Sequence, residues 1–291
     1  MKIVKFLGGL GNQMFQYAFL LSLQKKYNES VLMDTSVFKT YNLHNGFELD
    51  RIFKITARKA SIAEIKKVTF YSNSYFMSRV YKKIWPKRRT EFRENHFYEY
   101  YPDVFSIDGD CYFDGYWQSC EYFKNCRHLV QKEFSYLSEL DKKNRDLENY
   151  LLNNEGCVSI HVRRGDYLEH KLYKGLCGLE YYKKAIELIR KRHINIKKWV
   201  IFSNDISWCK DNLLPLLGDE TICFVDWNVS ADSFKDMRLM SACRINILAN
   251  SSFSWWAAYL NGHTNSEVYA PEKWVNLPMK FKIQMPDWIL L

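Results

Sequence analysis

The segment VSIHVRRGDY, residues 158 to 167, places four polar or charged side chains within six residues, directly after an apolar run. Apolar and polar residues alternate through it, which predicts a strand with His161 and Arg163 on one face near its carboxyl end. Ligands of open α/β sheets bind at that end. Arg163 and Arg164 carry permanent charge in a fork geometry that suits a diphosphate. The alternative is a surface loop in which the arginines pair with Asp166.

A second candidate lies at the N-terminus, where the apolar run of residues 2 to 7 enters GGLGNQ, residues 8 to 13, and then a helical pattern. A strand, a glycine turn and a helix bring backbone N–H groups close to a ligand, with Gly9, Gly11, Asn12 and Gln13 as candidate contacts. The turn has neither the spacing of a dinucleotide fingerprint nor the Lys-Ser/Thr pair of a P-loop, so neither NAD nor ATP is indicated. A tight turn that only packs helix on strand is the alternative.

Two further candidates occur near the C-terminus. Ser251 and Ser252 stand where a predicted strand (245 to 249) meets a predicted helix (252 to 261), a position at which hydroxyl and N–H groups can hold an anion. Asp236 lies inside the preceding predicted helix, where its carboxylate could accept from the N1–H and N2–H₂ groups of a guanine. A plain helix cap and a solvated surface carboxylate are the respective alternatives.

These candidates need strands and helices to position them, and the pattern supplies both. Strict alternation of strand and helix after residue 156 predicts a parallel, doubly wound sheet. The predicted elements are strand 157 to 163, helix 179 to 192, strand 199 to 203, helix 205 to 216, strand 221 to 225, helix 231 to 243 and strand 267 to 270. Earlier in the chain we expect strands at 30 to 34 and 111 to 117 and helices at 119 to 125 and 128 to 152, whereas residues 38 to 108 give a weak pattern. We therefore expect two Rossmann-like domains, residues 1–155 and 156–291, facing a cleft.

Composition favours a globular chain: 47% of the 291 residues are hydrophobic and 16% are aromatic. The net charge of +9 is local, because residues 79 to 93 hold seven Lys or Arg against one Glu. Aromatic and aliphatic residues interleave there, so this tract could lie on an anionic membrane or, less readily, on nucleic acid. A solvated helix is the alternative. No apolar run approaches the roughly 20 residues of a spanning helix.

The sequence gives only weak indications of metal binding or redox chemistry. The eight cysteines are scattered, which is typical of reduced, buried thiols in a cytoplasmic protein. Cys120, Cys126 and His128 lack the second pair that a zinc site needs. Asp108-Gly-Asp110 has the form of a metal-binding D-x-D but is also a favourable turn sequence, and we prefer the turn.

Taken together, GGLGNQMFQYAF, HVRRGDY, FSND and DMRLMSAC...NSSFSWWAAYL resemble, in this order, the inverting α-1,2-fucosyltransferases of glycosyltransferase family 11, mainly the bacterial members. The resemblance implies a GT-B-like fold, GDP-β-L-fucose as donor and a terminal galactoside as acceptor, with no cofactor and no required metal. It also implies that the C-terminal domain binds the donor and that the N-terminal domain serves the acceptor. We expect a cytoplasmic protein of surface-glycan synthesis, peripheral on the inner face of the plasma membrane through residues 79 to 93.

The resemblance also assigns roles to residues. Related α-1,6- and protein-O-fucosyltransferases share the His-x-Arg-Arg element, so Arg163 would neutralise the departing GDP, supported by His161 and Arg164. Their Asp-x15-Ser spacing falls on Asp236 and Ser252, which suggests guanine and phosphate contacts, and Asn12 would lie near the fucose or the bridging phosphate oxygen. The α-1,6 relatives have a glutamate ten residues beyond the motif histidine, but Lys171 stands there in this chain. The base is therefore open, with Asp166 the first candidate and Glu169 the second.

Two other readings remain at this point. A related GT-B transferase could take another nucleotide sugar or form another linkage. A basic protein without enzymatic activity, binding nucleic acid or lipid through residues 79 to 93, belongs to a different class. It is disfavoured because the other basic residues are dispersed and balanced by acids.

Overall fold

The computed structural model describes residues 1–40, 44–71, 75–96, 98–193, 195–218, 220–279 and 282–291. The chain forms two compact units. The first comprises Met1–Ser138 with Met279–Ile283, and the second comprises Glu139–Pro278 with Gln284–Leu291. We expected the boundary after residue 155, but the structure places it earlier because the helix Lys142–Leu152 packs inside the second unit. There Asn144 bonds Asn228 and Glu148 pairs with Arg238.

The described part of the first unit contains a four-stranded sheet in which every pairing is parallel. Its strands are β1 (Lys2–Lys5), β2 (Val31–Asp34), β3 (Glu91–Arg93) and β4 (Cys111–Asp114). The order is β2-β1-β4-β3, so the first strand is central and buried throughout. β3 lies inside the basic tract, where the sequence pattern is too short to reveal a strand of three residues.

Aromatic packing forms the core of this first unit. Its helices are α1 (Leu10–Tyr27), α2 (Leu49–Ile52), α3 (Ile62–Val68), α4 (Tyr75–Ile84) and α5 (Arg127–Glu133). Phe19 of α1 stacks on Trp117 with 4.2 Å between ring centroids and meets Phe113 edge-on at 5.5 Å. These rings attach α1 to the sheet and so hold the glycine turn that precedes it.

The second unit is built on a six-stranded sheet whose described pairings are again all parallel. Its strands are β5 (Cys157–Val162), β6 (Lys198–Ser203), β7 (Thr221–Val225), β8 (Ile245–Ile247), β9 (Glu267–Ala270) and β10 (Ile289–Leu290). The order is β10-β9-β8-β5-β6-β7, which places β5 between β8 and β6. β5 is buried along its whole length, as expected for a parallel strand covered on both faces.

The helices of the second unit are α6 (Lys142–Leu152), α7 (Asp166–Glu169), α8 (Leu179–Arg192), α9 (Ile206–Asn212), α10 (Phe234–Ser241) and α11 (Ser252–Tyr259). α8 has the bounds that its apolar periodicity predicts. Its Tyr182, Ala185 and Ile189 pack with Trp199 in the buried core. The alternation of strands and helices expected after residue 156 is confirmed.

Several predicted helices differ from the structure. The segment expected as a helix at 231 to 243 is a 3-10 turn, Ser230–Asp232, followed by α10 (Phe234–Ser241). The one expected at 128 to 152 is two helices, α5 and α6, because Ser135 to Leu140 forms an irregular link and Asp141 caps α6 through the Asn144 amide. The segment 119 to 125 forms two short 3-10 turns. The helix expected at 205 to 216 is α-helical only over Ile206–Asn212, and a 3-10 turn that contains Pro215 follows at Leu214–Leu216. Within the described residues, no helix is long and apolar enough to cross a membrane.

Candidate active site

In the second unit, loops from neighbouring strands meet at the carboxyl edge of the sheet. β8, β5 and β6 are adjacent and parallel, so the segments that follow them emerge side by side. These segments carry Ser251 and Ser252 after β8, the His161 to Asp166 element at the end of β5, and Asn204 with Asp205 after β6. The sheet therefore brings together most of the residues that the sequence singled out in this half of the chain.

His161 is the last polar side chain of β5 and is 8% exposed. Its Nδ1 atom has no hydrogen-bond partner among the described residues, and its ring lies 5.9 Å from that of Phe253. Burial, together with the charge of Arg163, lowers the pKa of His161 to about 3. The imidazole is therefore neutral near pH 7 and too weakly basic for general base catalysis, but it can still form hydrogen bonds.

Arg163 is partly exposed at the edge of the sheet, and its conformation is held by its neighbours. Its Nη2 donates to Oδ1 of Asp166 at 2.7 Å, and its guanidinium carbon lies 5.3 Å from the centre of the Tyr167 ring. Asp166 is itself mostly exposed. This arrangement presents a fixed positive charge to solvent, with Asp166 as its orienting partner.

Arg164 turns towards the neighbouring loop. Its Nε donates to Asp205 at 3.0 Å, and its guanidinium lies 4.2 Å from the centre of the Trp208 ring. Its backbone N–H and C=O form a reciprocal pair with the side-chain amide of Asn204. Gly165 permits this turn because it adopts φ +64°, and a Cβ there would lie 2.9 Å from the Asn204 amide nitrogen. The FSND motif thus holds the RRG turn, a function that its sequence alone does not reveal.

Ser251 and Ser252 lie at the start of α11, as predicted. Ser251 is the N-cap and accepts a hydrogen bond from the Phe253 amide at 3.3 Å. A side-chain hydrogen bond also joins Ser251 to Tyr167, the residue beside Asp166. The N-terminus of α11, with its favourable dipole, therefore lies next to the arginine-bearing loop. Tyr167 is a residue of this site that sequence reasoning missed.

Asp236 lies in the first turn of α10, which follows the edge strand β7, so it occupies the same edge of the sheet at some remove from Arg163. Its Oδ1 accepts from the Asn228 amide at 2.8 Å, and Asn228 in turn bonds Asn144. Burial raises the pKa of Asp236 to about 7, and the Asn228 hydrogen bond opposes that rise only in part. Such a carboxyl group can accept two N–H donors, but only after it has lost its proton.

In the first unit, the glycine turn is organised by two fully buried glutamines. Gln13 donates to the carbonyls of Gly8 and Gly46 at 2.9 and 2.8 Å and accepts from the Glu48 amide. Gln16 bonds both backbone groups of Leu7. Gln13 was expected to contact the donor, but its amide serves other backbone segments and positions the turn. Gln16 was missed, although GNQMFQ places it one helical turn after Gln13 on the same face.

Asn12 lies at the start of α1 and is partly buried. Its Oδ1 accepts from the Gln118 amide at 2.6 Å, and a Cβ on Gly8 would lie 2.6 Å from its Nδ2. Gly8 adopts φ +89°. Its own backbone conformation and the close side chain of Asn12 therefore both require glycine at position 8. Gly9 and Gly11 belong to the same turn, with Gly11 buried. The Asn12 and Gln13 amides donate to the Gly9 carbonyl at 2.9 and 3.1 Å, so the turn is hydrogen-bonded within itself.

The residues of the candidate metal motifs form other contacts in the structure. Asp110 pairs with the N-terminal amine of Met1 at 2.6 Å, and Gly109 adopts φ +75°, which fits the preferred turn. Cys126 is buried and bonds the Phe123 carbonyl through its thiol. Within the described ranges, no group of three or more His, Cys, Asp or Glu side chains has the arrangement of a metal site.

Comparison with known proteins agrees with this picture. The model of the family described as "Glycosyl transferase family 11" matches residues 1–291. An α-1,2-colitosyltransferase of Escherichia coli is 32% identical over 94% of this chain and 91% of its own length, and an O-antigen biosynthesis glycosyltransferase, WbnK, of the same organism is 30% identical over 98% of both. A galactoside α-(1,2)-fucosyltransferase 1 of Gorilla gorilla gorilla is 29% identical over 88% of this chain and 64% of its own.

The structural likeness concerns the fold alone. The NodZ α-1,6-fucosyltransferase soaked with GDP-fucose aligns with a TM-score of 0.52 at 14% identity, covering 89% of this chain and 92% of that one. Two parallel sheets and this structural likeness define a GT-B-like α/β fold. The chain belongs to glycosyl transferase family 11. The family expected from the motifs is thereby confirmed, and a non-enzymatic binding protein is not supported.

Proposed function

We propose that this enzyme transfers L-fucose from GDP-β-L-fucose, with inversion, to the 2-hydroxyl of a terminal galactoside. The observation that carries the proposal is the Arg163 guanidinium at the carboxyl edge of the second sheet. Asp166 orients it, and Tyr167, whose ring it faces, bonds the side chain of Ser251 at the N-terminus of α11. Fixed positive charge and helix N–H groups at one edge are what a leaving diphosphate requires. The second unit, Glu139–Pro278 with Gln284–Leu291, is the proposed donor-binding side.

The chemistry is a single in-line displacement. The bond from fucose C1 to the β-phosphate oxygen breaks while the galactose hydroxyl oxygen attacks C1 from the opposite face, and GDP leaves with the electron pair. Negative charge grows on the β-phosphate, where Arg163 and the helix dipole at the N-terminus of α11, which carries the Ser251 and Ser252 hydroxyl groups, stabilise it. The proton of the galactose hydroxyl passes to a base, for which Asp166 is the first candidate and Glu169 the second. The proposed step requires no metal, and we expect activity to persist in EDTA.

The remaining residues support the donor in different ways. His161 contributes a neutral hydrogen-bonding group, since its pKa lies far below 7. Arg164 holds the RRG turn through Asp205, and Asp236 accepts from the guanine base. In the first unit, the residues proposed to contact the donor are Gly9, Gly11 and Asn12, on the turn that Gln13 positions, and we propose that the galactose-terminated glycan binds on that unit.

The direct test measures GDP release from GDP-fucose with a β-galactoside acceptor, followed by linkage determination of the product. The first relative above is a colitosyltransferase, and colitose lacks the 3-hydroxyl of fucose, so GDP-colitose is the natural competing donor. GDP-mannose and UDP-galactose complete the series. We expect the highest kcat/KM with GDP-fucose and an α-1,2 product. A higher value with another donor, or a different linkage, would contradict the proposal.

The raised pKa of Asp236 predicts how GDP binding depends on pH. In the free enzyme the carboxyl group is largely protonated below about pH 7, and guanine requires the ionised form. Binding should therefore release a proton, and the Kd for GDP should rise as the pH falls from 8 to 6, by up to about tenfold per unit below 7. Calorimetry in two buffers of different ionisation enthalpy measures the release.

The phosphates of GDP titrate in the same range, so the control is the Asp236→Asn variant. It retains the ligand's own pH dependence and should lose only the part due to Asp236. A pH dependence equal in the two proteins would show that Asp236 does not exchange its proton with the ligand.

We further propose that the first unit contacts an anionic membrane surface, which fits a cytoplasmic enzyme that acts on lipid-linked glycan precursors. Large apolar side chains are exposed on and beside the amphipathic helix α4: Phe70, Phe76, Met77, Ile84 and Trp85. Phe76 and Ile84 are 71% and 65% exposed. Basic residues of the tract 79 to 93 accompany them, although the side chain of Lys82 lies outside the described part. An apolar surface with basic neighbours is typical of interfacial helices.

Vesicle flotation tests this surface. Replacing the exposed Lys83, Lys87 and Arg89 by glutamine should weaken binding to phosphatidylcholine vesicles that contain phosphatidylglycerol by about 100-fold, at roughly 1 kcal/mol per charge. Phe76→Ser with Ile84→Ser should weaken binding as well. Replacing three exposed lysines of α8 (Lys183, Lys184 and Lys191) is the matched control and should have little effect. Equal losses in the two triple variants would indicate only a general charge effect.

A further inference from the structure

We propose that a cavity in the first unit binds a neutral sugar ring through its hydroxyl groups. The cavity lies at the carboxyl edge of the sheet, the edge at which ligands of open α/β sheets bind. Each of the four strands contributes its last residue to the lining: Lys5 of β1, Asp34 of β2, Arg93 of β3 and Asp114 of β4. The inference rests on the proposed function for the source of the sugar, a galactose-terminated glycan. It concerns binding and assigns no step of the transfer.

Lys5 brings hydrogen-bond donors to this cavity. The residue is 7% exposed, and its Nζ lies 3.7 Å from Oδ2 of Asp114, which is an ion pair but is too long for a hydrogen bond. No hydrogen bond to this Nζ is present among the described residues. A buried ammonium has three N–H donors, and leaving them without acceptors costs free energy. Hydroxyl oxygens of a ligand supply such acceptors.

Tyr71, which follows α3, also lines the cavity. Its hydroxyl group is buried and has no hydrogen-bond partner within the described part of the chain. Buried polar groups of native proteins are rarely left unpaired, so this hydroxyl calls for a partner from outside the chain. A sugar hydroxyl both donates and accepts, and it can therefore pair with Tyr71 as well as with Lys5.

The charges of the lining favour a neutral ligand over an ion, because the two cations at the strand ends are matched by two carboxylates. Asp34 is buried and accepts from the Tyr112 hydroxyl at 2.6 Å and from the Ser36 amide at 2.9 Å. Arg93 pairs with the buried Glu91 at 2.7 Å. A phosphate would meet the carboxylates and a cation would meet the bases. A ring with several hydroxyl groups offers donors and acceptors to both.

Aromatic side chains form the rest of the polar cavity's wall. Phe70 and Tyr71 follow α3, and Tyr81 belongs to α4. Aromatic walls with a few convergent polar groups are typical of small-molecule sites, and an aromatic face can pack on the C–H face of a sugar. The free space is about 40 Å³ and is partly open to solvent. It can take the hydroxyl-bearing edge of one ring and is too small for a nucleotide.

Tyr71→Phe is the most selective test. It removes only a hydroxyl group that bonds nothing in the described structure, so the melting temperature should not fall. Saturation-transfer NMR with lactose and methyl β-galactoside, in the absence of GDP-fucose, measures sugar binding. We expect the Kd to rise by about 3- to 10-fold, the effect of one neutral hydrogen bond. Tyr136→Phe is the matched control: this tyrosine of the same unit packs on Phe53, does not line the cavity, and should leave the Kd unchanged.

Lys5→Met gives a larger effect. Methionine keeps the unbranched apolar stem and removes the ammonium, so we expect the Kd for the galactosides to rise by about 10- to 100-fold. Lys2→Met is the control for strand β1. Lys2 is also buried, but it pairs with Glu29 at 2.7 Å at the other end of the strand, and its loss should not change the Kd. Equal losses in the two lysine variants would contradict the proposal, because they would reflect damage to the strand.

Three further results would overturn the assignment. Wild-type protein could bind neither galactoside, or both Tyr71→Phe and Lys5→Met could keep the wild-type Kd. Inorganic pyrophosphate could instead bind in a manner that Lys5→Met abolishes, which would make the cavity an anion site. Failure of the proposed function is a different result, because the wild-type enzyme would then bind galactosides through the cavity but release no GDP from GDP-fucose.

Discussion

Replacing Arg163 by alanine should lower kcat by about 10²–10³, with a much smaller change in the KM for GDP-fucose. The charge that Arg163 stabilises is small in the bound donor and large on the departing GDP, so the loss falls mainly on the transition state. That range corresponds to about 3–4 kcal/mol of barrier. Steady-state kinetics with GDP-fucose and a β-galactoside measures the effect.

Two variants test the specificity of that result. Arg163→Lys keeps the charge but loses the fork that holds Asp166, so we expect an intermediate rate. Arg192→Ala removes an exposed arginine that pairs with Glu267 at the opposite, amino-terminal edge of the sheet, and it should leave kcat unchanged. If Arg163→Ala retained the wild-type kcat, the leaving group would have to be stabilised elsewhere.

Asp236→Asn should weaken GDP binding by about 100-fold. The carboxylate is proposed to accept from two N–H groups of guanine, and hydrogen bonds to a charged group contribute about 1.5–3 kcal/mol each. An amide offers one acceptor atom and presents a donor in place of the other, which leaves a guanine N–H unpaired. Calorimetric titration with GDP and ADP separates base recognition from phosphate binding, since the variant should lose most of its preference for GDP over ADP.

The matched control lies four residues earlier in the same segment. Asp232 is an exposed carboxylate that pairs with Lys235 at 3.1 Å, so Asp232→Asn removes the same charge without touching the proposed guanine site. Its GDP affinity should equal that of the wild type. The Asn228 amide can still bond an asparagine at position 236, so we expect Asp236→Asn to fold. An unchanged Kd in Asp236→Asn would remove this residue from the guanine site.

Several features of the fold were predictable because they depend on local pattern. The apolar periodicity of α8 predicts the observed bounds, Leu179–Arg192, since the buried face repeats along a single helix. Strand β5 was predicted to within one residue. Elements that depend on contacts with other segments of the chain were less predictable. β3 has only three residues and forms by pairing with β4, and α6 joined the second unit through Asn144 and Glu148.

The candidate site also combines features that the sequence predicts with features that depend on distant segments. The RRGD segment indicated its own chemistry because adjacent arginines after a strand are an anion-binding pattern whatever surrounds them. The separate tasks of the two arginines were not predictable. Arg163 faces Asp166, three residues away, whereas Arg164 bonds Asp205, 41 residues further along the chain. Only the pairing of β5 with β6 brings that aspartate within reach.

By itself the sequence determined the fold class, the family and the residue types that can hold a nucleotide diphosphate, because these depend on periodicity and on motifs of adjacent residues. The tertiary structure decided which of those side chains lie at the edge of the sheet and which are held by hydrogen bonds to other segments. Gln13, expected at the donor, is fully buried and joins the glycine turn to the turn that contains Gly46. Such roles arise from hydrogen bonds between segments more than 30 residues apart, and only the folded chain brings those segments together.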